Sequence, residues 1–382
     1  MQKMKLFTVM LTVLCAAPLG VRADDEEKSI VPIFSIKGSM PEAPDQSGIG
    51  ELLGDKAPVS MFDLLEKLRT ARADEHVKGI IFDIEDAALG LAQIQELRAQ
   101  FEALRSADKD VWVFAETLSN GTLLLGSSAS KLILLPAGAV VMNGMYSEGL
   151  YFKGMLDKIG VEANILHCGA YKSAGEPFYR TGPSKEAEEQ TNRLIDSIFK
   201  QLLAGVAKSR KLTPEQVSGF IDKCEIGPKD ALAAKLVDKL QYREDFIAAL
   251  KKRYGKDTKF VTRYGKKEGP EIDLENPFAI FSLFKEIMKG PSESDKPAIA
   301  VVFVEGAISG GEADSSPFGG GSGAHSTTIR KAIAQAAADK NVKALLMRVD
   351  SPGGSAIASD IICEAALRFK KSGRPFIVSM GN

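Results

Sequence analysis

The chain of 382 residues is long enough for two or more domains, and its 45% hydrophobic and 26% charged residues are the mixture of a globular protein with a large core. Lys+Arg number 49 and Asp+Glu 50, a formal charge of −1, so no global field draws in nucleic acid or an anionic membrane surface. Nucleic-acid binding is excluded as the expected function.

Lys3 and Lys5, the apolar run 6–17 and then Val21-Arg22-Ala23 form the pattern of a secretory signal, residues 1–23, cleaved after Ala23. The run is shorter than the roughly 20 residues of a bilayer-spanning helix, and retention as an uncleaved anchor is the alternative. Leu14 stands before Cys15 where a lipidation signal has a small residue. The other cysteines, Cys168, Cys224 and Cys363, are odd in number and widely spaced, which fits neither a disulfide framework nor a metal site.

In chain order, 30–38 reads as a strand and 60–71 as a helix, with Ser60 and Asp63 at capping-box spacing and Met61, Leu64, Leu65 and Leu68 along one face. The continuous apolar run 77–84 is a strand of the buried parallel kind. A helix over 91–105 and a strand over 111–115 complete a β-α-β unit, which implies an α/β domain with a parallel sheet. Further strands are predicted at 131–135 and 163–167, with an amphipathic segment at 150–159. Gly182-Pro183-Ser184 opens a long helix carrying Leu194, Ile198, Leu202 and Val206 on one face; Thr213-Pro214-Glu215-Gln216 opens another, and 230–238 reads as a short one.

Residues 290–297 have the composition of a linker. Beyond them the pattern begins again: Val77-Lys78 and Val342-Lys343 lie 265 residues apart, as do Ala73-Asp74 and Ala338-Asp339, and Val113 and Val378. Tandem duplication of one α/β unit follows, with a first repeat over 24–289, which includes a helical extension, and a second, incomplete repeat over 298–382.

Two stretches carry chemistry. Gly169-Ala170-Tyr171-Lys172-Ser173-Ala174-Gly175 sets one lysine among small and aromatic neighbours with no acid within three positions. In an interior cleft such an amine loses its proton and becomes a general base for a hydroxyl nucleophile; the alternative is a surface lysine on a glycine-flanked turn. Asp350-Ser351-Pro352-Gly353-Gly354-Ser355 lies between the strand 344–349 and the helix 356–369, at the carboxyl end of a parallel strand, where open α/β sheets place their sites. Gly353 and Gly354 offer N–H groups beside a helix N-terminus, an oxyanion cradle, or else form a plain Pro-Gly turn. The first copy has lost this pair at 85–90. The Gly/Ser-rich loop around 310–323 lacks the ending of a phosphate loop, and the flexible setting of His325 beside it argues against a Ser/His/Asp triad. His167 and Cys168, as neighbours on a strand, would point to opposite faces.

Tyr171-Lys172-Ser173-Ala174-Gly175-Glu176-Pro177-Phe178 and Asp350-Ser351-Pro352-Gly353-Gly354-Ser355, with Lys235-Leu236-Val237-Asp238 and Val378-Ser379-Met380-Gly381-Asn382, resemble the protease IV, or signal peptide peptidase A, family in its long two-repeat form. The resemblance implies tandem ClpP/crotonase-like α/β repeats, a cofactor-free Ser/Lys dyad that cleaves peptide bonds, and a membrane-associated homo-oligomer at the periplasmic face of the cytoplasmic membrane. Lys172 matches the family's general base, and Gly354, with Gly353 beside it, the oxyanion donor. The family's nucleophilic serine follows Ser-Met-Gly-Asn and so falls past Asn382, outside the sequence. The expectation is therefore an exported peptidase acting on cleaved signal peptides and other hydrophobic peptides. The alternatives are a scaffold of peptidase fold without its nucleophile, and an acyl-CoA enzyme of the crotonase type, against which export weighs.

Overall fold

The structure, a computed structural model, describes residues 29–44, 59–265, 296–312 and 323–382. The signal sequence 1–23, most of the 290–297 linker and most of the glycine-rich loop lie outside the described residues. The first unit runs β1 (Ile30–Ser39), α1 (Met61–Ala73), β2 (Gly79–Ala88), α2 (Leu91–Ser106), β3 (Asp110–Leu118), α3 (Asn120–Gly126) and β4 (Lys131–Met142). β1, β2, β3 and β4 are parallel neighbours, Ile33 opposite Ile81, Phe82 opposite Val113, and Phe114 opposite Ile133. Parallel strands need crossovers, and the helices that supply them cover one face with Leu64, Leu68, Leu97, Phe101 and Leu123. Capping by Ser60, whose Oγ accepts from Asp63 N at 3.1 Å, starts α1 where the spacing predicts.

Next come α4 (Lys153–Lys158), α5 (Glu176–Tyr179), α6 (Lys185–Arg210), α7 (Pro214–Ile221), β5 (Cys224–Ile226), α8 (Pro228–Ala233), β6 (Lys239–Leu240), α9 (Arg243–Tyr254) and β7 (Lys259–Val261). α9 covers the other face of the sheet, packing Phe246 and Leu250 on Val31, Ile81, Phe114 and Ile133. Strands buried on both faces explain the unbroken apolar runs. At the foot of this contact Trp112 Nε1 donates to Tyr254 Oη at 2.8 Å, Tyr254 Oη donates to Asp110, and Arg253 pairs with Asp110 at 2.8 Å.

Three expectations are corrected. No strand forms at 163–167: β5 and β6 already occupy the outer edge of β4, and Leu166 is left 95% exposed. The helix expected to Asp238 stops at Ala233, because Lys235 takes a left-handed φ of 61° and turns the chain so that Leu236 and Val237 enter the core. The amphipathic segment 150–159 is helical only over Lys153–Lys158. The long helix forms as predicted, but only its second half is packed: Leu202 and Val206 are buried while Leu194 is 60% exposed.

The second unit contains β8 (Ala298–Glu305), β9 (Ile308–Ser309), β10 (Ala324–His325), α10 (Ser326–Ala338), β11 (Val342–Asp350), α11 (Ala356–Lys371) and β12 (Phe376–Met380), with β12-β11-β8 a parallel sheet. Its two helices match α1 and α2 in length and spacing. α1 and α10 each have 13 residues and α2 and α11 each have 16, both pairs 265 positions apart. The buried side chains correspond too: Met61, Leu64, Leu68 and Ala71 against Ser326, Ile329, Ile333 and Ala336. Gly38, near the end of β1, and Gly306, just past the end of β8, both have positive φ, 59° and 78°.

Among the described residues no helix is long and apolar enough to cross a membrane, and no group of three His, Cys, Asp or Glu is placed to hold a metal ion. Cys168, Cys224 and Cys363 are free and exposed.

Candidate active site

Lys172 lies on a succession of tight turns. Its N–H donates to Gly169 O at 3.3 Å, Ser173 N to Tyr171 O at 3.1 Å and Glu176 N to Ser173 O at 2.9 Å, with Gly169 at φ 88° where a side chain would be strained. The loop is tied down behind Lys172. Glu176, only 4% exposed, accepts from Ser184 N at 2.8 Å, so one carboxylate joins the lysine loop to the first turn of α6. Hydrogen bonds from Ser184 hold the Glu176 carboxyl below the usual range. Tyr171 Oη donates to Glu189 on α6 at 3.1 Å, and this bond pushes the phenol pKa up.

Lys172 borders a cavity of about 340 Å³ with Ile165, Leu166, His167, Cys168, Ala174 and Gly175. All these residues belong to the first unit, and Lys172 itself is exposed. Among the described residues the interior cleft expected around Lys172 is not closed over it. Since 163–167 is not a strand, strand alternation does not separate His167 from Cys168, and both line this cavity. The His167 ring stacks on Tyr179, with centroids 6.5 Å apart and planes 4° from parallel.

The second stretch is built more tightly. Ser351 Oγ donates to Gly306 O at 2.6 Å and accepts from Gly353 N at 3.1 Å; Ile308 N donates to Gly353 O, and Ser355 N to Ile308 O, each at 2.9 Å. β9 therefore clamps the turn from outside. Gly353 has φ 99° and Gly354 φ 157°, and a Cβ on Gly354 would lie 2.1 Å from Ile308 O, so only glycine fits. The Gly353 N–H is occupied by Ser351, whereas among the described residues the Gly354 N–H has no acceptor. A free donor at the start of the 16-residue helix α11 is suited to a developing oxyanion. Ser355 caps that helix through Ala358 N at 3.3 Å.

The structure thus places Lys172 in the first unit and Gly353 and Gly354 in the second, and it supplies a physical difference between the two glycines, the Gly353 N–H being taken by Ser351. The roles of Glu176 and Ser351 were missed. Both stand inside the quoted motifs, but their partners, Ser184 and Gly306, are 8 and 45 positions away. His325 is not loose: its Nδ1 lies 3.1 Å from Ser309 Oγ, and it opens α10. Burial, together with Glu42 and Glu305, pushes the Asp350 pKa up at the end of β11.

Residues 103–257 match the model of peptidase family S49. Over 331 residues, 84% of its length, the chain is 32% identical to Protease 4 of Salmonella typhi, and over 339 residues, 88%, it is 31% identical to Protease 4 of Haemophilus influenzae. It is 25% identical over 325 residues, 85%, to the chloroplastic serine protease SPPA of Arabidopsis thaliana. The chain spans about half the length of these relatives, 50%, 54% and 46% respectively. Among solved structures, a membrane-bound stomatin-specific protease matches 62% of this chain and 98% of its own, at 10% identity and a TM-score of 0.35.

Proposed function

Because this chain belongs to peptidase family S49, we propose that it is a serine endopeptidase in which Lys172 is the general base and Gly354, with Gly353 beside it, forms the oxyanion hole. The unoccupied Gly354 N–H at the head of α11 carries the reading. In the reaction a serine hydroxyl gives its proton to the Lys172 amine as Oγ attacks the peptide carbonyl; the oxyanion is held at Gly354, and the ammonium protonates the leaving amine. Water then hydrolyses the acyl-enzyme by the same base. Ser351 and Ser355 are engaged in the turn and the α11 cap, so the nucleophile is assigned to the position the family pattern puts after Asn382.

The substrates proposed are cleaved signal peptides and other hydrophobic peptides at the periplasmic face of the cytoplasmic membrane. A homo-oligomer is part of the proposal, supported by the apolar arm around Lys172, where Leu150, Met155, Ile159 and Leu166 are 57–95% exposed. A neighbouring copy over this arm would exclude water from Lys172, as its chemistry requires. The second reading, a scaffold of peptidase fold, is supported by the exposure of Lys172 and by a cavity confined to one unit.

The test is hydrolysis of a fluorogenic apolar peptide by this chain extended with the sequence that follows codon 382 in its gene. Lys172→Ala is expected to cut kcat by roughly 10²–10⁴ with circular dichroism unchanged. Turnover by Lys172→Ala near the wild-type level removes Lys172 from the mechanism. Lys172-dependent turnover by the 382-residue chain alone would move the nucleophile to Ser119, Ser173 or Ser355.

A further inference from the structure

Asp83 on β2 and Arg348 on β11 stand 265 positions apart, so the same point of the duplicated sheet carries opposite charges. In the first unit the position faces that unit's own helix α9, where Arg243 Nη1 and Nη2 donate to the two Asp83 oxygens at 2.6 and 2.8 Å. In the second unit Leu345, Met347 and Val349 turn into the core under α10 and α11, leaving Arg348 on the opposite face. Its partners come from the first unit: Nε donates to Glu42 at 3.0 Å and Nη1 to Glu96 on α2 at 2.7 Å. Nη1 also reaches Ser379 on β12 at 2.9 Å. Around this arginine the seam continues: Glu42 N and Ala43 N donate to Glu305 at 3.2 Å, Gln93 Nε2 to Glu42 at 2.9 Å, and Ala92 N to Asn382 Oδ1 at 3.0 Å. Phe62 on α1 meets Phe303 edge-on at 5.9 Å.

We propose that Arg348 is a positioning residue: the Glu42–Arg348–Glu96 contact fixes the unit that carries Gly354 in one register against the unit that carries Lys172. The inference rests on the peptidase reading for its catalytic consequence, though not for the contact itself. Arg348 is 8% and Glu42 3% exposed, and Arg348 Nη2 is buried without a hydrogen-bond partner among the described residues. Buried ion pairs contribute little net stability, an incompletely bonded one least, and their best-attested role is to set register. A planar guanidinium can address Glu42, Glu96 and Ser379 at fixed angles, which a lysine ammonium cannot. The reversed charge at Asp83 makes the docking one-way. The acids of the first unit suit the second sheet, while the first sheet, already closed by α9 through Arg243, presents a like charge.

Two readouts test this. In a background with Cys15, Cys168, Cys224 and Cys363 changed to serine, Phe62→Cys with Phe303→Cys is treated with a short bis-maleimide, and cross-linking across the seam is measured in the 382-residue chain. In the gene-extended chain kcat and KM are measured on the fluorogenic peptide. The double variant Glu42→Leu/Arg348→Met, which replaces the pair by apolar side chains, is expected to keep its melting temperature, lose cross-linking, and lower kcat about tenfold to 10²-fold with KM little changed. Arg348→Lys is expected to restore part of both. Glu96→Gln, which leaves the Glu42 pair in place, is read in the same assays, with smaller losses in the same direction expected. Cross-linking yield and kcat within twofold of wild type in both the double variant and Glu96→Gln overturn the proposal. Lys172→Ala serves as the control: it abolishes turnover and leaves cross-linking intact. Absence of turnover in the wild type defeats the peptidase reading, while cross-linking still decides on Arg348.

Discussion

Gly354 shows what one atom decides. Gly354→Ala puts a Cβ 2.1 Å from Ile308 O, so either β9 moves or the turn opens, and the N–H left free for an oxyanion moves with it. The variant is expected to lose peptidase activity and about 1–3 kcal/mol of stability, checked by denaturant melts of the 382-residue chain. Asp238 is the corresponding anchor of the first unit. It accepts from Leu132 N and Arg210 Nη1, each at 2.8 Å, and from Lys131 Nζ at 3.4 Å. Asp238→Asn is expected to cost about 1–3 kcal/mol, read from the same melts. At this scale the sequence was partly legible. The Gly353-Gly354 pair and Lys172 stood out by their neighbours, but which glycine has a free N–H depends on Ser351 and Ile308, and no local pattern encodes that.

Among the elements, α6 links the lysine loop to the body of the first unit. Its far half is packed through Leu202 and Val206, and its near half is held by Glu176 and Tyr171. Glu176→Gln should weaken the acceptor at Ser184 N, speed amide exchange over residues 184–190 and lower peptidase activity, while exchange in α2 and α9 stays unchanged. Hydrogen exchange followed by mass spectrometry checks this. Helix caps were readable because Ser60, Ser184 and Thr213 bond within three residues of themselves. The missing strand at 163–167 was not readable, because β propensity does not say whether a sheet edge is vacant.

For the whole molecule, the α/β class with a parallel sheet was legible because parallel strands buried on both faces write unbroken apolar runs into the chain, whereas the ClpP/crotonase-like expectation came from the family motifs alone. The seam was not, since Glu42 and Arg348 are 306 positions apart and each alone reads as a surface charge. The two units also answer acid with opposite sign. Burial pushes the Asp238 pKa up, but the hydrogen bond and charge of Arg210 outweigh it and leave the group below its ordinary value, so its contribution is present at neutral pH and lost as pH falls through the folded value. Asp350 is raised, by burial first and then by Glu42 and Glu305; its contribution is present below the ordinary aspartate value and lost as pH rises through the raised one. Protection factors, which divide out the intrinsic pH dependence of amide exchange, are therefore expected to fall in β4 and α8 as pH drops below about 4, and to hold steady or rise in β11 and α11 as pH is lowered from about 7 to 4.

Such experiments are sensitive to the choice of optical probe. The chain has a single tryptophan, and Trp112 stands between the first sheet and α9 with its indole N–H on Tyr254. Its emission registers the moment α9 lifts away and stays dark to whatever the second unit does. A fluorescence melt and a far-ultraviolet dichroism melt of one sample will therefore part company whenever the units unfold in turn, and the gap between the two curves becomes a direct gauge of how independently they come apart.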